Sequence, residues 1–407
     1  MRNGAGDAGG GGLRCLGLVM GELRVTLVFT TIYGADVLGA YCRNFERYGH
    51  LHQVEVIVIP DRKTPLEAYH RAREVNSRGM RTSCPEIEEQ DAYLRRVGLA
   101  PELIPYNSDN RRNIGYLMAL ASGSDFLLSI DDDNYCTDDQ DVFAEHSVVC
   151  QGPTSGSCVA SPTGFYNVCR LLEFEGDFPV YARGFPYFRR HLDEGTASYS
   201  AHAEVHVNAG LWTVDPDIDA FTWLVCRPRV KAFGSHSVIL APDTWSPINT
   251  QNTSLHRDAI PAYYFLKMGY PIAGTPIDRY GDILSGYFVQ ACAKHLRKAV
   301  RVGSPYAEHR RNSHNYIRDA FQEIACIGVL EDLLPWLVEL RLDGTSYTGA
   351  YAALSHALED AVERFHGSIW TDATRGYFHQ AAYYMRAWLK ACEAITGGAG
   401  GGVSAKG

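Results

Sequence analysis

The chain is missing the signatures of several large functional classes. Its 407 residues carry 38 Lys and Arg against 47 Asp and Glu, a net charge of −9. It therefore has none of the basic excess that marks a nucleic-acid binder or a polybasic membrane-surface protein, and any anion-binding site must be local. No run of about 18 apolar residues occurs, which argues against a spanning helix and membrane insertion. Between residues 23 and 133 the glycines form neither GxGxxG nor a P-loop motif, so a dinucleotide enzyme or a P-loop kinase is disfavoured, and there is no flavin fingerprint. The 11 cysteines, from Cys15 to Cys392, include no CxxC pair and no metal-ligand spacing. An odd, dispersed set with no secretory segment reads as reduced thiols in a cytoplasmic protein. The Gly-rich start lacks a basic n-region, so residues 1–22 are expected to be a flexible leader and residues 396–407 a flexible tail.

What is present is an alternation of short β-rich runs and helical patterns from Leu23 to about Tyr316, the rhythm of an α/β sheet. Residues 25–29 read as a first strand, followed by a helix through Tyr41 to Tyr48, and residues 54–59 read as a second strand ending at Pro60 and Asp61. A polar insertion is expected up to about Pro101, then a short strand near 103–106, a helix from about Asn113 to Ser122, and a strand at 126–130. This is the order of a nucleotide-binding half-domain. After about Asn312 the chain becomes apolar at helical spacing and poor in β-branched residues, over 316–340, 351–365 and 371–395. The expectation is a domain over residues 23–315 with an all-helical region over 316–395. The aromatics Tyr377, Phe378, Tyr383, Tyr384 and Trp388 are expected to fill the contact between them. The same helices offer a face for a homo-oligomer, which periodicity does not separate from an intramolecular one.

The densest chemistry is Asp131-Asp132-Asp133, which closes the apolar run Phe126-Leu127-Leu128-Ser129-Ile130. Open α/β sheets bind ligands at such carboxyl ends. Three adjacent anions repel one another, and a divalent cation held by one or two carboxylates plus diphosphate oxygens is an economical compensation. The bland alternative is a solvated acidic turn, as at Asp138-Asp139-Gln140-Asp141. Asp61 stands where a carboxylate would read a base or ribose, or is simply a turn residue beside Pro60. Arg112 opens its helix and either reaches a nucleotide phosphate or shields the acidic strand end. Arg183 and Arg190 lie seven apart around Gly184 and Pro186, in a segment that reads as an active-site loop. Asp282, after Arg279-Tyr280-Gly281, is either an N-cap or a group facing a sugar as base or hydroxyl acceptor. His309 follows a candidate strand at 299–302; a lone His is commonly structural, yet beside a carboxylate triad it is a neutral nitrogen donor that favours Mn²⁺ over Mg²⁺.

Taken together, several segments resemble the reversibly glycosylated polypeptides, the UDP-arabinopyranose mutases of glycosyltransferase family 75. They are Arg112 with Gly115-Tyr116, Ile130-Asp131-Asp132-Asp133, Arg183-Gly184-Phe185-Pro186 with Arg190, Gly210-Leu211-Trp212 and Pro216-Asp217-Ile218-Asp219-Ala220. Pro247 with Asn252, Arg279-Tyr280 with Asp282, and Gly303-Ser304-Pro305-Tyr306 with His309 complete the set, in family order over roughly Leu23 to Ile317. Gly281 departs from it, standing where plant members carry a further Asp, and Asn208-Ala209 replaces their Ser-His. The resemblance implies a GT-A-like (Rossmann-like) nucleotide-sugar-binding sheet, a Mn²⁺ or Mg²⁺ ion, and flavin-independent interconversion of pyranose and furanose forms of a nucleotide-bound sugar. The expected metal ligands are Asp131, Asp133 and His309, and the expected nucleotide-sugar contacts are Thr30, Thr31, Asp61, Arg112, Asp131, Asp132, Asn252 and Arg279. Arg183 matches the arginine that becomes reversibly glycosylated, with Arg190 as its supporting partner; a guanidinium needs a carboxylate to accept its proton before it can attack, and Asp282 is the candidate base.

Similar-looking bacterial relatives include GDP-hexose mutases of nucleoside-antibiotic pathways, so the expected substrate is a GDP-hexose such as GDP-L-galactose, or UDP-arabinose. Two other classes compete: a GT-A glycosyltransferase that passes the sugar to an acceptor, and a non-catalytic nucleotide-sugar-binding partner subunit.

Overall fold

The computed structural model describes residues 22–192, 195–234, 237–272 and 274–398. Apart from Glu22 the expected leader lies outside them, and the first residues of the expected tail, 396–398, are the end of a helix.

The sheet starts from three runs that are apolar without alternation because both faces are covered. These are β1 (Val25–Thr31), β2 (Val54–Pro60) and β4 (Phe126–Ile130), with the short edge strand β3 (Arg81–Ser83) beyond β2. All four are parallel, in the order β3-β2-β1-β4. Alternate residues of β1 face opposite layers. Leu27 and Phe29 pack with α1 (Val37–Tyr48) and α2 (Leu66–Ser77), whereas Val28 packs with α4 (Arg112–Ser122). Strand order reverses between β1 and β4, so the ligand crevice of such a sheet lies between Thr31 and Asp131.

The interval expected as a polar insertion folds into α2, β3 and α3 (Ile87–Arg96). Ala68, Ala72 and Val75 bury one stripe of α2 beneath its charged residues. The strand expected near 103–106 is absent; a 3₁₀ turn at Pro101–Leu103 takes its place. Pro101 and Pro105 have no N–H to give a ladder.

The second half adds β5 (Asn134–Cys136), α5 (Val142–His146), β6 (Pro153–Ala160), β7 (Leu172–Phe174) and the long β8 (Ala197–Val214). After α6 (Ala220–Val225) come β9 (Val230–Phe233), β10 (Val238–Leu240), β11 (Asn252–His256), and the hairpin β12 (Tyr270–Ile272) with β13 (Thr275–Ile277). Then α7 (Gly281–His295) leads into β14 (Ala299–His309). The sheet continues β4-β11-β8-β6-β10-β14-β5.

Two registers set up the site. Antiparallel pairing of Asn252 with Ile130 carries Thr250 and Gln251 to the end of β4, and pairing of His309 with Asn134 sets His309 beside Asp133. β14 runs to His309 instead of stopping near Val302, so this histidine is the last residue of a strand. Asp282 is not the N-cap of α7; that position is Tyr280, and Asp282 lies in the first turn.

Helices α8 (Tyr316–Glu339), α9 (Tyr347–Val362) and α10 (Asp372–Gly398) cover the α4 side of the sheet. Tyr377, Phe378, Tyr384 and Trp388 are buried there, and Trp388 Nε1–H donates to Pro261 O at 2.9 Å. Tyr383 is the exception, 55% exposed on the outer face of α10. The result is a mixed α/β sheet covered by helices, with a helical C-terminal region. Among the described residues no helix is long and apolar enough to cross a membrane.

Candidate functional site

A cavity of about 340 Å³ opens at the switch point. The sheet supplies Thr30 and Thr31 from β1, Asp61 after β2, Asp131 to Asp133 after β4, and His309 from β14. Arg111 and Arg112 come from the start of α4, Arg279 and Asp282 from the start of α7, and Arg183, Asp217 and Arg311 from loops.

The acidic side is organised by individual bonds. Arg112 Nη2 pairs with Asp131, and its Nη1 donates to Ser129 Oγ, Ile130 O and Thr250 O at 3.0, 2.9 and 3.1 Å. Thr31 Oγ1 donates to Asp132 Oδ2 at 2.5 Å. Burial pushes the Asp132 carboxyl up to about 7, with Thr31 opposing and the charges of Asp133 and Asp131 adding to the rise. Burial also raises Asp131, against the attraction of Arg112. Asp133 behaves differently: burial would raise it, but His309, with hydrogen bonds from Asn134 and the backbone, holds it below the usual carboxylate range.

His309 Nδ1–H donates to Asp215 O at 2.8 Å, which turns Nε2 toward Asp133 Oδ2 at 3.5 Å. A backbone carbonyl fixing one ring nitrogen while the other faces a carboxylate is how proteins present a histidine ligand. The donor pair fits a hard divalent ion whose other positions are filled by phosphate and water. Asp131, the third expected ligand, is engaged by Arg112, and among the described residues no set of three His, Cys, Asp or Glu is gathered as an ion-holding group.

Opposite stands Arg183. Its Nε and Nη2 donate to the two Asp217 oxygens at 2.8 and 3.0 Å, and its Nη1 and Nη2 donate to the two Asp282 oxygens at 3.0 and 2.6 Å. The remaining Nη1 hydrogen goes to Arg279 O. All five guanidinium donors are thus engaged. Burial opposes the charge on Arg183, but Asp217 and Asp282 outweigh it and push its pKa well above the ordinary value. The loop reaches α7 through Gly184, at φ +87°, where a Cβ would sit 2.4 Å from Ile283 Cγ2.

Of the residues singled out in the sequence, the cavity gathers Thr30, Thr31, Asp61, Arg112, Asp131, Asp132, Asp133, Arg183, Arg279, Asp282 and His309. Two do not line it. Arg190 pairs with Asp219 at 2.5 Å and lies 3.7 Å over the Tyr187 ring, bracing the loop from behind. Asn252 is buried beneath the site, its Oδ1 facing His146 Nε2 at 3.0 Å and its Nδ2 donating to Pro305 O at 2.8 Å. Sequence reasoning missed Asp217, Glu323 and Arg311. Asp217 lay in the Pro216 to Ala220 motif but carried no assigned role. Glu323 is a helical residue in α8 with nothing local to mark it, yet it accepts from Arg279 Nε at 2.9 Å and from Ala220 N at 2.8 Å.

An acidic strand end at a sheet switch point, faced by arginines, is a crevice built for a charged ligand. The chain belongs to the reversibly glycosylated polypeptide family, whose model matches residues 85–397. A curated relative from Oryza sativa subsp. japonica, described as a probable inactive UDP-arabinopyranose mutase 2, is 23% identical over 296 residues, spanning 70% of this chain and 76% of its own. Solved structures with some likeness are more distant. Glucosyl-3-phosphoglycerate synthase from Mycobacterium tuberculosis, in complex with phosphoglyceric acid, is 12% identical, with TM-score 0.34 over 79% of this chain and 82% of that one. The mannosyltransferase PcManGT from Pyrobaculum calidifontis, in complex with GDP-Man and Mn²⁺, is 11% identical, with TM-score 0.35 over 94% and 77%.

Proposed function

We propose that this chain is a metal-dependent, flavin-independent mutase that interconverts the pyranose and furanose forms of a sugar held on a nucleoside diphosphate, with a GDP-hexose or UDP-arabinose as substrate. The observation that carries the reading is the clamp of Arg183 between Asp217 and Asp282, facing the Asp133 and His309 pair across one cavity in a member of this family. A divalent ion held by Asp133 and His309 would neutralise the diphosphate as its bond to C1 breaks.

The chain's own groups do the rest. Ring contraction exchanges the C1–O5 bond for a C1–O4 bond while the diphosphate leaves and returns, so one hydroxyl loses a proton and another gains it. Asp282 and Asp217 are the carboxylates beside Arg183 that can take and return that proton. Arg183, with every donor engaged and its charge reinforced, favours the role of a fixed cation that orients both. Attack by Arg183 on C1 would first require Nη2–H to pass to Asp282 Oδ2, 2.6 Å away.

The test is incubation of the protein with Mn²⁺ and a panel of UDP-pentoses, UDP-hexoses and GDP-hexoses, with chromatographic separation of ring isomers. An isomer of unchanged mass without release of nucleoside diphosphate is the expected result. Diphosphate appearing only with an added acceptor would replace this reading with a glycosyltransferase. The rice relative's description as probable inactive favours one further alternative, a non-catalytic binding partner. Metal-dependent nucleotide binding with no turnover on any sugar would establish that one.

A further inference from the structure

The arginines of the cavity differ in what holds them. Arg112 is spent on Asp131 and three backbone or hydroxyl oxygens. Arg183 is spent on two aspartates, and Arg279 is paired with Glu323 at 2.9 Å and Asp319 at 3.6 Å. Arg111 gives Nε and Nη2 to Gln90 Oε1 at 3.1 and 2.5 Å. Of the two roles the sequence left open for Arg112 the structure shows the shielding of the acidic strand end, and Arg279, expected as a nucleotide-sugar contact, likewise has anionic partners.

Arg311 does not. Its side chain makes no hydrogen bond or ion pair to any described residue, and its Nε is buried without a partner. It lies against the rings of Trp223 and Tyr316, 5.1 and 5.6 Å from their centroids. Those rings are themselves stacked, 5.5 Å apart and 9° from parallel. A guanidinium fixed against aromatic faces keeps its hydrogen-bonding edge free. The place is set from both sides: Arg310 N donates to Asp133 O at 2.9 Å, which pins the chain beside the acidic strand end, while Trp223 and Tyr316 come from α6 and α8. Arg311 is half-buried, with Nε shut off from water and the rest of the guanidinium open to the cavity, so an arriving anion meets a fixed, unpaired donor edge.

We propose that Arg311 is the residue that grips the diphosphate of the ligand, presented by the Trp223 and Tyr316 pair. The proposal rests on the nucleotide-sugar reading and assigns the anion contact within it. Charge-assisted hydrogen bonds of this kind change affinity by about 10- to 100-fold.

The experiment is calorimetric titration, with Mn²⁺ present throughout, of GDP, UDP, guanosine and uridine into the full chain and its Arg311→Met, Arg311→Lys and Trp223→Leu variants, each first shown to be folded by its thermal transition. Arg311→Met should weaken the diphosphates about 10- to 100-fold and leave the nucleosides unchanged. Arg311→Lys should recover part of the loss, and Trp223→Leu, which keeps the charge but removes its platform, should weaken the diphosphates alone by a smaller factor. A folded Arg311→Met with unaltered diphosphate affinity, or an equal loss for diphosphate and nucleoside, overturns the assignment and leaves the nucleotide-sugar reading standing. If the wild type binds no nucleoside diphosphate, the nucleotide-sugar reading falls and this one falls with it.

Discussion

Replacing Arg183 by Met removes one cation and strands two carboxylates. Arg183, Asp217 and Asp282 are 6%, 4% and 7% exposed, so none can turn to water in place. After the change Asp217 keeps the amide of Asn249 at 2.7 Å, and Asp282 keeps the backbone N–H of Ile283 at 2.9 Å. Removing one member of a buried pair costs about 3–5 kcal/mol; with two partners orphaned the expected loss is about 5 kcal/mol at pH 8. The loss should depend on pH with a definite sign. An orphaned, buried carboxylate has a folded pKa above its unfolded value near 4, so the folded variant keeps a proton that the unfolded chain has released. Stability of the variant then falls as pH rises above about 4, by up to about 1.4 kcal/mol per unit for each such group until the raised pKa is passed. The wild type lacks this contribution at Asp217, which Arg183 holds below the usual carboxylate range despite burial. Urea unfolding followed by circular dichroism at pH 5, 6.5 and 8 measures both proteins, and Asp282→Asn in the Arg183→Met background should return part of the loss. A variant within about 1 kcal/mol of wild type at pH 8, or a deficit that does not shrink toward pH 5, would refute the clamp.

Three further outcomes are expected. His146 is fully buried with Nε2 facing Asn252 and Nδ1 facing Ser254, and burial pushes its pKa down to about 3. Its contribution is complete above pH 6.5 and is lost as pH falls toward 3, about 3 kcal/mol by pH 4; chemical denaturation of His146→Gln should show a flatter stability profile between pH 6.5 and 4. Gly286→Ala puts a Cβ 2.1 Å from Ile248 O, so α7 must move from the segment that carries Thr250 and Gln251 into the cavity. A loss of about 3 kcal/mol, read from the thermal midpoint, is expected with weaker nucleotide binding; an unchanged midpoint would count against this packing. Mn²⁺ with GDP or UDP should raise the wild-type midpoint, and Asp133→Asn or His309→Ala should remove the increment due to the metal; a persisting increment would place the ion elsewhere.

What the sequence disclosed followed the reach of each signal. β4 and the carboxylates that close it were legible because an apolar run and the residues ending it are adjacent in the chain. The C-terminal helices were legible because their apolar spacing is local, although periodicity did not show that Tyr383 turns outward. The interval after Arg62 read as an insertion because its helices are polar and short, and only the buried stripe of α2 betrays them. Asn252 and Arg190 show the limit of a motif: each lies within reach of the site in sequence order, but His146 and Pro305 engage one and Asp219 the other. Arg310 and Arg311 look alike as letters. The first pairs with Glu308 at 3.0 Å in solvent, and the second, a residue later, faces the cavity against two rings.

The helical C-terminal region is part of the site and not an addition to it. Arg279 sits at φ +61°, a conformation that a non-glycine residue holds only when its surroundings enforce it. The enforcement comes from α8: Glu323, with no exposed surface, takes Arg279 Nε on one oxygen and the Ala220 N–H on the other. In that pose Arg279 turns its carbonyl to Arg183 Nη1, so a carboxylate of α8 reaches the clamp through one backbone unit. Tyr316, the first residue of the same helix, backs Arg311. Both arginines at this side of the cavity are therefore oriented by a helix that begins beyond the last strand of the sheet. A chain ending before Tyr316 would keep Asp131, Asp133 and His309 but lose what fixes Arg279 and part of what holds Arg311, so the acidic strand end alone cannot constitute this site.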